Sequence, residues 1–258
     1  MITRTINRAW VVVGTLLTVT ALPLVTFSVI NMVAHEEVER TSTIPAAELS
    51  GLKVDGANGS IEVFADDVDV VTVVARISHG LRETDQRTEV VDGVLEVSSS
   101  CPLLSSWCEV DYRITVPRDL PIDISSGNGR LVVRGSDAPV EARGSNSRVE
   151  LVDLSGDVYA TTDNGNIEAS GLRSSVVVTE TNNGRTRIAL LEPPREVRTS
   201  TDNGSVDIAV PRTDDAYRVD LDTDNGSTDS MVATDPTSER SITARSNNGS
   251  LTVGYLAD

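Results

Sequence analysis

The chain has 258 residues, with 22 Lys+Arg against 39 Asp+Glu and a formal charge of −17. Phosphate backbones repel such a domain, which excludes a nucleic-acid binder, and anionic lipid headgroups repel it too, so it is expected to stand clear of the bilayer as a soluble extracellular unit. Aromatic residues make up only 3% of the chain, so Val, Ile, Leu, Thr and Ala must fill the interior, which suits a thin core between short strands.

Residues 1–8 read as a cytoplasmic stub and 9–34 as a transmembrane anchor. Arg4 and Arg8 precede an uncharged, mostly apolar run, and Glu36, Glu37 and Glu39 follow it. About 20 apolar residues suffice to cross the hydrocarbon core, and the positive flank stays inside. A cleaved signal peptide is the alternative. It is disfavoured by the length of the run and by the large Met32 at −3 of a cut after Ala34. Residues 35–50 read as a polar tether, and 51–258 as an extracytoplasmic β-repeat domain.

Within that domain, 51–121 is irregular and is expected nearest the membrane. Strand-like alternation is clear over 68–77, 94–98 and 110–116, while 78–88 reads as a charged loop or a single helical turn. Cys101 and Cys108 have six residues between them. An oxidising compartment permits a disulfide there, which would stabilise the fold by roughly 2–3 kcal/mol. Two thiols without a nearby histidine do not make a zinc shell.

Over 122–256 the chain is regular. One pattern recurs eight times: apolar residues at alternate positions, a small polar residue, an Asn corner, then alternation again. The asparagines are Asn58, Asn128, Asn146, Asn164, Asn183, Asn203, Asn225 and Asn248, and from Asn128 onward their spacings are 18, 18, 19, 20, 22 and 23. Glycine follows in seven copies (Gly59, Gly129, Gly165, Gly184, Gly204, Gly226, Gly249) and Ser147 in the third. We number the copies one to eight by these corners.

A period near 20 residues implies stacked units that cannot bury their apolar faces alone. The expected fold is therefore an all-β solenoid, with like residues aligned in hydroxyl and amide ladders. An antiparallel meander or sandwich of Asn-Gly hairpins is the alternative, since Asn-Gly suits type I′ turns. In either case Asn and Gly are expected at these structural turns because the backbone there needs positive φ. The last copy leaves an open strand edge with no cap.

The Tyr-Arg-Ile-Thr-Val-Pro-Arg-Asp-Leu-Pro-Ile-Asp-Ile segment (112–124), the anchor and the serial Gly-Asn-Gly, Asp-Asn-Gly and Asn-Asn-Gly turns together resemble the bacterial "putative adhesin" proteins of the DUF4097 type, over roughly 50–256. The resemblance implies a solenoid-like domain outside a bacterial cell membrane and supplies no catalytic residues.

The chain is poor in catalytic material. Its histidines are His35 and His79, and no nucleophile elbow, His-Glu-x-x-His helix or phosphate loop is present. The acidic clusters are Asp66-Asp67-Asp69, Asp214-Asp215 and Asp220-Asp222-Asp224. They could serve polysaccharide cleavage only as pairs at sugar-spanning distance, and few aromatic platforms (Tyr159, Tyr217, Tyr255) accompany them. The 222–229 segment departs from a helix-loop-helix calcium loop, with Gly226 at position 5 and Ala233 at position 12. The expectation is a non-enzyme without cofactor or metal, an adhesion or envelope-interaction module. Its partner would be an envelope polymer or a membrane protein. The alternatives are an accessory or sensory subunit docking on a membrane partner, and a polysaccharide-active enzyme.

Overall fold

The computed structural model describes residues 36–80, 84–102 and 108–256, together with residues 10, 13–15, 17–22 and 25, which are helical. The stub and most of the expected anchor lie outside the described residues, and no helix among those described is long and apolar enough to cross a membrane. The rest is a large, mixed, all-β assembly.

The strands preceding the second copy are β1 (Glu36–Pro45), β2 (Gly51–Asn58), β3 (Ile61–Asp66), β4 (Val70–His79), β5 (Asp85–Val91), β6 (Val94–Ser100) and β7 (Cys108–Pro117). Copies two and three are single long strands, β8 (Ile122–Arg134) and β9 (Val140–Val152), that run through their corners. Copies four to six split at the corner into β10 (Val158–Asn164) and β11 (Ile167–Leu172), β12 (Val176–Asn183) and β13 (Thr186–Leu190), and β14 (Glu196–Asn203) and β15 (Val206–Val210). The last two copies give β16 (Arg218–Asn225) and β17 (Thr228–Ser230), then β18 (Ser241–Asn248) and β19 (Leu251–Tyr255).

Strands on either side of a corner do not pair with each other. The half before the corner joins one parallel ladder, β6–β2–β8–β9–β10–β12–β14–β18–β16. The half after it joins a second, β7–β3–β8–β9–β11–β13–β15–β19–β17. This pairing is the opposite of a hairpin array. Corner asparagines fall in register, as in Asn164↔Asn183↔Asn203↔Asn248↔Asn225.

Strand alternation then sends one row of side chains from each ladder into a shared interior. Val158, Ala160, Ile167 and Ala169 of copy four are buried, as are Val197, Val206 and Ile208 of copy six. Small β-branched and Ala side chains suffice because the interior is thin.

The corners are not type I′ turns. Among the described non-glycine residues only Asp92 and Asp153 have positive φ. No corner asparagine has positive φ, although the corner glycines Gly59, Gly129 and Gly249 do (116°, 129° and 155°). Positive φ calls for glycine at those three corners, and close backbone stacking calls for it at all seven. A Cβ on Gly184 would collide with the Gly165 carbonyl oxygen, one on Gly204 with the Gly184 carbonyl, and one on Gly249 with the Gly204 carbonyl. In six copies the residue two places before the corner is Ser or Thr, and it serves the same stacking. Thr162 Oγ1 donates to the Ser147 carbonyl (3.0 Å), Thr181 Oγ1 to that of Gly165 (3.1 Å) and Thr223 Oγ1 to that of Gly249 (3.1 Å), so these buried or half-buried hydroxyls are satisfied. The positive-φ hairpin signal belongs instead to Asp92-Gly93 (φ 50° and 83°), which joins β5 to β6 through a two-residue loop.

Two further expectations are corrected. Residues 36–45 are not a tether; β1 pairs antiparallel with β4 along its whole length, Glu36↔His79 to Pro45↔Val70. The charged 78–88 stretch ends β4 and begins β5, an edge strand whose polar side chains are tolerated because it pairs on one side only.

The order of copies also departs from the chain order at both ends. Copy one lies between β6/β7 and copy two, so the chain leaves the stack, builds an outer layer with β4 and β5, and returns. Copy eight inserts between copies six and seven. The open edge is therefore copy seven, not the last copy. The wider spacings of 22 and 23 residues around Asn225 supply the chain needed to skip a layer and come back. Thr228 and Ser230 stand where most other copies carry Val, Ile or Leu, and there they are exposed.

Burial raises the Tyr112 phenol above its usual value, with Ser99 and Gln86 beside it offsetting only part of the effect. Its hydroxyl has no hydrogen-bond partner among the described residues. A raised folded pKa favours the neutral form in the fold. That stability is complete below the unfolded value near 10 and is lost as pH climbs through the folded value.

Two predictions follow from the packing. Gly184→Ala is expected to destabilise by about 2 kcal/mol or more, whereas Arg185→Ala stays within about 0.5 kcal/mol, measured by chemical unfolding. Equal stabilities would contradict the close-stacking account. Tyr112→Phe is expected to match or exceed the parent at pH 7 and to lose less melting temperature between pH 9 and about 11.

Candidate interaction surfaces

Three outward features arise from the stack: the ladder faces, the line of corners and the open edge. On the face of the second ladder, arginines and acids of adjoining copies form ion pairs. Arg113 and Arg130 flank Glu62 (3.1 and 3.3 Å), Arg148 bridges Glu150 and Glu168 (3.3 and 2.7 Å), and Arg187 approaches Glu168 and Asp207 (4.0 and 3.8 Å). The Glu168 carboxylate raises the Arg148 pKa. Each exposed pair is worth little alone, but the row repeats at the spacing of the ladder and favours its register. Beside it Ser170, Ala189, Ala209 and Gly254 form the floor of a shallow groove of about 440 Å³, open because these outward side chains are small.

Along the corners the asparagine amides form one continuous hydrogen-bond chain. Asn128 Nδ2 donates to Asn58 Oδ1 (2.8 Å), Asn146 to Asn128 (3.2 Å), Asn164 to Asn146 (3.1 Å), Asn183 to Asn164 (2.9 Å) and Asn203 to Asn183 (3.0 Å). Asn248 donates to Asn203 (2.9 Å) and Asn225 to Asn248 (3.1 Å), following the stack and not the sequence. Beside the chain, Asn182 donates to Asp163 (3.4 Å) and Asn247 to Asp202 (3.2 Å).

The chain of amides has two different ends. Cys101 and Cys108 are joined by a disulfide with Cα atoms 5.7 Å apart. This hook occupies the corner of the outer layer, where Asn58 Nδ2 meets Cys101 Sγ (3.2 Å) and the Cys108 carbonyl (3.4 Å). At the far end Asn225 Oδ1 accepts no bond among the described residues. The corner glycines 59, 165, 184, 204 and 249 each donate their N–H to an Asn carbonyl of the adjoining copy. Gly226 has no such acceptor among the described residues.

The remaining sequence candidates are dispersed. His79 Nδ1 lies 2.9 Å from the Gly80 carbonyl, and His35 is outside the described residues. Asp66 and Asp67 flank Arg118 (3.8 and 3.6 Å), remote in register from Asp220, Asp222 and Asp224 on β16. The 222–229 segment is the corner of copy seven, its flanks committed to β16 and β17. No group of three His, Cys, Asp or Glu residues that could hold a metal ion occurs among the described residues. Of the tyrosines, Tyr217 is buried, Tyr159 is exposed, and Tyr255 lies under the Arg212 guanidinium (4.5 Å to the ring centre). Asp235, in the loop after β17, is held below the usual carboxylate value by the Thr237 hydroxyl and amide. The amide chain is legible in the aligned asparagines; the ion-pair row is not, because most of its partners, such as Arg148 and Glu168 or Arg113 and Glu62, are distant in sequence and meet only once the register is known.

Removing one link tests the amide chain. Asn203→Ala leaves Asn183 Oδ1 and Asn248 Nδ2 without their partners and is expected to cost about 1–2 kcal/mol; Asn247→Ala, beside the chain, is expected to cost less. A second test is chemical. Asn-Gly deamidates when the glycine nitrogen attacks the Asn side-chain carbonyl, expels ammonia and forms a succinimide that water reopens. Asn225-Gly226 lacks the restraint that holds the other glycine nitrogens, so peptide mass mapping after ageing at pH 8 is expected to find isoaspartate there first. Equal rates at all Asn-Gly corners would contradict the account.

No family model and no curated protein matches the chain. Solved structures similar to it include a "putative cell adhesion protein" from Clostridium sporogenes (12% identity, TM-score 0.40, covering 86% of this chain and 100% of that one). A "putative adhesin" from Bacteroides fragilis (15%, TM-score 0.41, 86% and 97%) and another from Parabacteroides merdae (11%, TM-score 0.39, 85% and 96%) are also similar.

Proposed function

We propose that the two parallel ladders are the faces of a β-solenoid held outside a bacterial cell membrane by an anchor over 9–34, and that the protein is a non-catalytic adhesion or envelope-interaction module of the DUF4097 type. The observation that carries this reading is the in-register stacking of the copies, which repeats outward side chains at strand spacing over long faces. A polymer with repeating units can meet such a surface at many weak points at once, so that avidity replaces a deep pocket. The paired charges on the faces suit a neutral or mixed-charge polymer better than a strongly ionic one. A second reading, an accessory subunit docked on a membrane protein, is favoured by the open edge at copy seven.

The test is retention of the detergent-solubilised full chain on envelope polymer from its own organism, beside capture of solubilised membrane proteins. The adhesion reading expects saturable retention on polymer, reduced at least fivefold by bulky substitutions such as Ala189→Trp and Ala209→Trp on the second face. Capture of one stoichiometric membrane protein with no polymer retention would overturn it in favour of the accessory subunit.

A further inference from the structure

We propose that the exposed edge of β16 is a docking site for an extended segment of a partner protein carrying Lys or Arg at alternate positions, which adds to the first ladder as a further strand.

β16 pairs with β18 on one side only. The Arg218 N–H donates to the Arg240 carbonyl, so by strand alternation Arg218, Asp220, Asp222 and Asp224 turn their peptide groups towards β18. Val219, Leu221 and Thr223 turn theirs to the open side. Tyr217 lies on that same side, and there the chain already pairs with itself: the Tyr217 N–H donates to the Ala233 carbonyl, and the Tyr217 carbonyl accepts from the Asp235 N–H, in a parallel bridge to Thr234. The edge thus accepts a strand at its first position and is left open at the next three.

Packing points the same way. Val219 and Leu221 occupy the inward row, whose equivalents in the neighbouring copy, Ile242 and Ala244, are buried, yet both are only half-buried. A further strand would cover them. At the corner, Asn225 Oδ1 ends the amide chain as an acceptor awaiting a donor.

Charge selects the occupant. Asp220, Asp222 and Asp224 project outward at alternate positions of β16, all exposed, and none forms an ion pair among the described residues. Elsewhere on this ladder several outward acids are matched, as in Arg143 with Asp123 (2.6 Å) and Glu141 (2.5 Å), or Arg198 with Glu196 (2.9 Å). A second copy of this chain added at the same edge would bring its own three aspartates against these, and like charges on facing strands oppose pairing. A strand alternating basic and apolar residues meets both demands: its cations answer the aspartates, and its apolar side chains close the interior over Val219 and Leu221. This inference is independent of what the faces bind, so polymer retention and edge docking can fail separately.

The test uses the full chain in detergent micelles with two fluorescent peptides, one alternating lysine and valine and ending in Asn-Gly, the other with glutamate for lysine. The lysine peptide is expected to bind saturably, at least tenfold tighter than the glutamate peptide, more weakly as salt rises, and with new exchange protection at the amides of Val219, Leu221 and Thr223. Leu221→Pro, which removes an outward N–H without touching the bonds to β18, is expected to abolish binding with an unchanged circular dichroism spectrum. Asp220→Lys with Asp222→Lys and Asp224→Lys is expected to reverse the peptide preference and serves if Leu221→Pro does not fold. Equal affinity for both peptides, no binding of either, protection elsewhere on the chain, or self-association through this edge would overturn the proposal.

Discussion

Everything in this fold depends on how closely successive backbones approach at the corners. The glycine of one copy sits directly against the carbonyl oxygen of the last, so that in most copies no side chain fits between them. That proximity brings the asparagine amides to hydrogen-bonding distance and fixes the register of both ladders together. It also places a hydroxyl before the corner where it can satisfy the carbonyl that stacking would otherwise bury. Slipping one copy by a residue would break the amide chain, strand those hydroxyls and turn the apolar row outward at once.

A parallel stack with this geometry has no intrinsic end, and the chain resolves the problem differently at its two extremities. At one end it adds an antiparallel layer, β1 and β4 against β7 and β5 against β6, and closes the amide chain on the Cys101–Cys108 hook. At the other it sends copy seven out first and threads copy eight in behind it. The final strands are thereby paired on both sides, and the open edge is left to a copy whose inward row is partly polar and whose outward row is acidic. Such an edge resists self-pairing, and the same acids make it selective for cations.

Much of the architecture was legible in the sequence because it is periodic. The aligned asparagines, the small polar residue two places earlier and the flanking apolar alternation mark the corners and the inward rows residue by residue. Positive φ, the reason expected for Asn-Gly, applies to Gly59, Gly129 and Gly249 and to none of the corner asparagines. Dipeptide turn preferences describe isolated hairpins, whereas here stacking between distant copies sets the requirement. The reordering of copies one, seven and eight was hidden for a related reason. Its trace is only a pair of longer spacings and the substitution of Thr228 and Ser230 for apolar residues. β1 and β5 were missed because edge strands paired on one side need no apolar alternation. The surfaces were the least legible part, since ion pairs such as Arg148–Glu168 depend on a register that no local pattern states.

The central claim, in-register parallel stacking with copy eight between copies six and seven, is tested most directly by engineered disulfides at one outward position of the three copies. Arg198↔Thr243 and Asp220↔Thr243 are register neighbours, whereas Arg198 and Asp220 are separated by a whole strand. The account predicts that Arg198→Cys with Thr243→Cys crosslinks efficiently under mild oxidation, as does Asp220→Cys with Thr243→Cys. The pair Arg198→Cys with Asp220→Cys is predicted not to crosslink. Efficient crosslinking of that last pair, with loss of the other two, would mean that the copies stack in sequence order and would contradict the account.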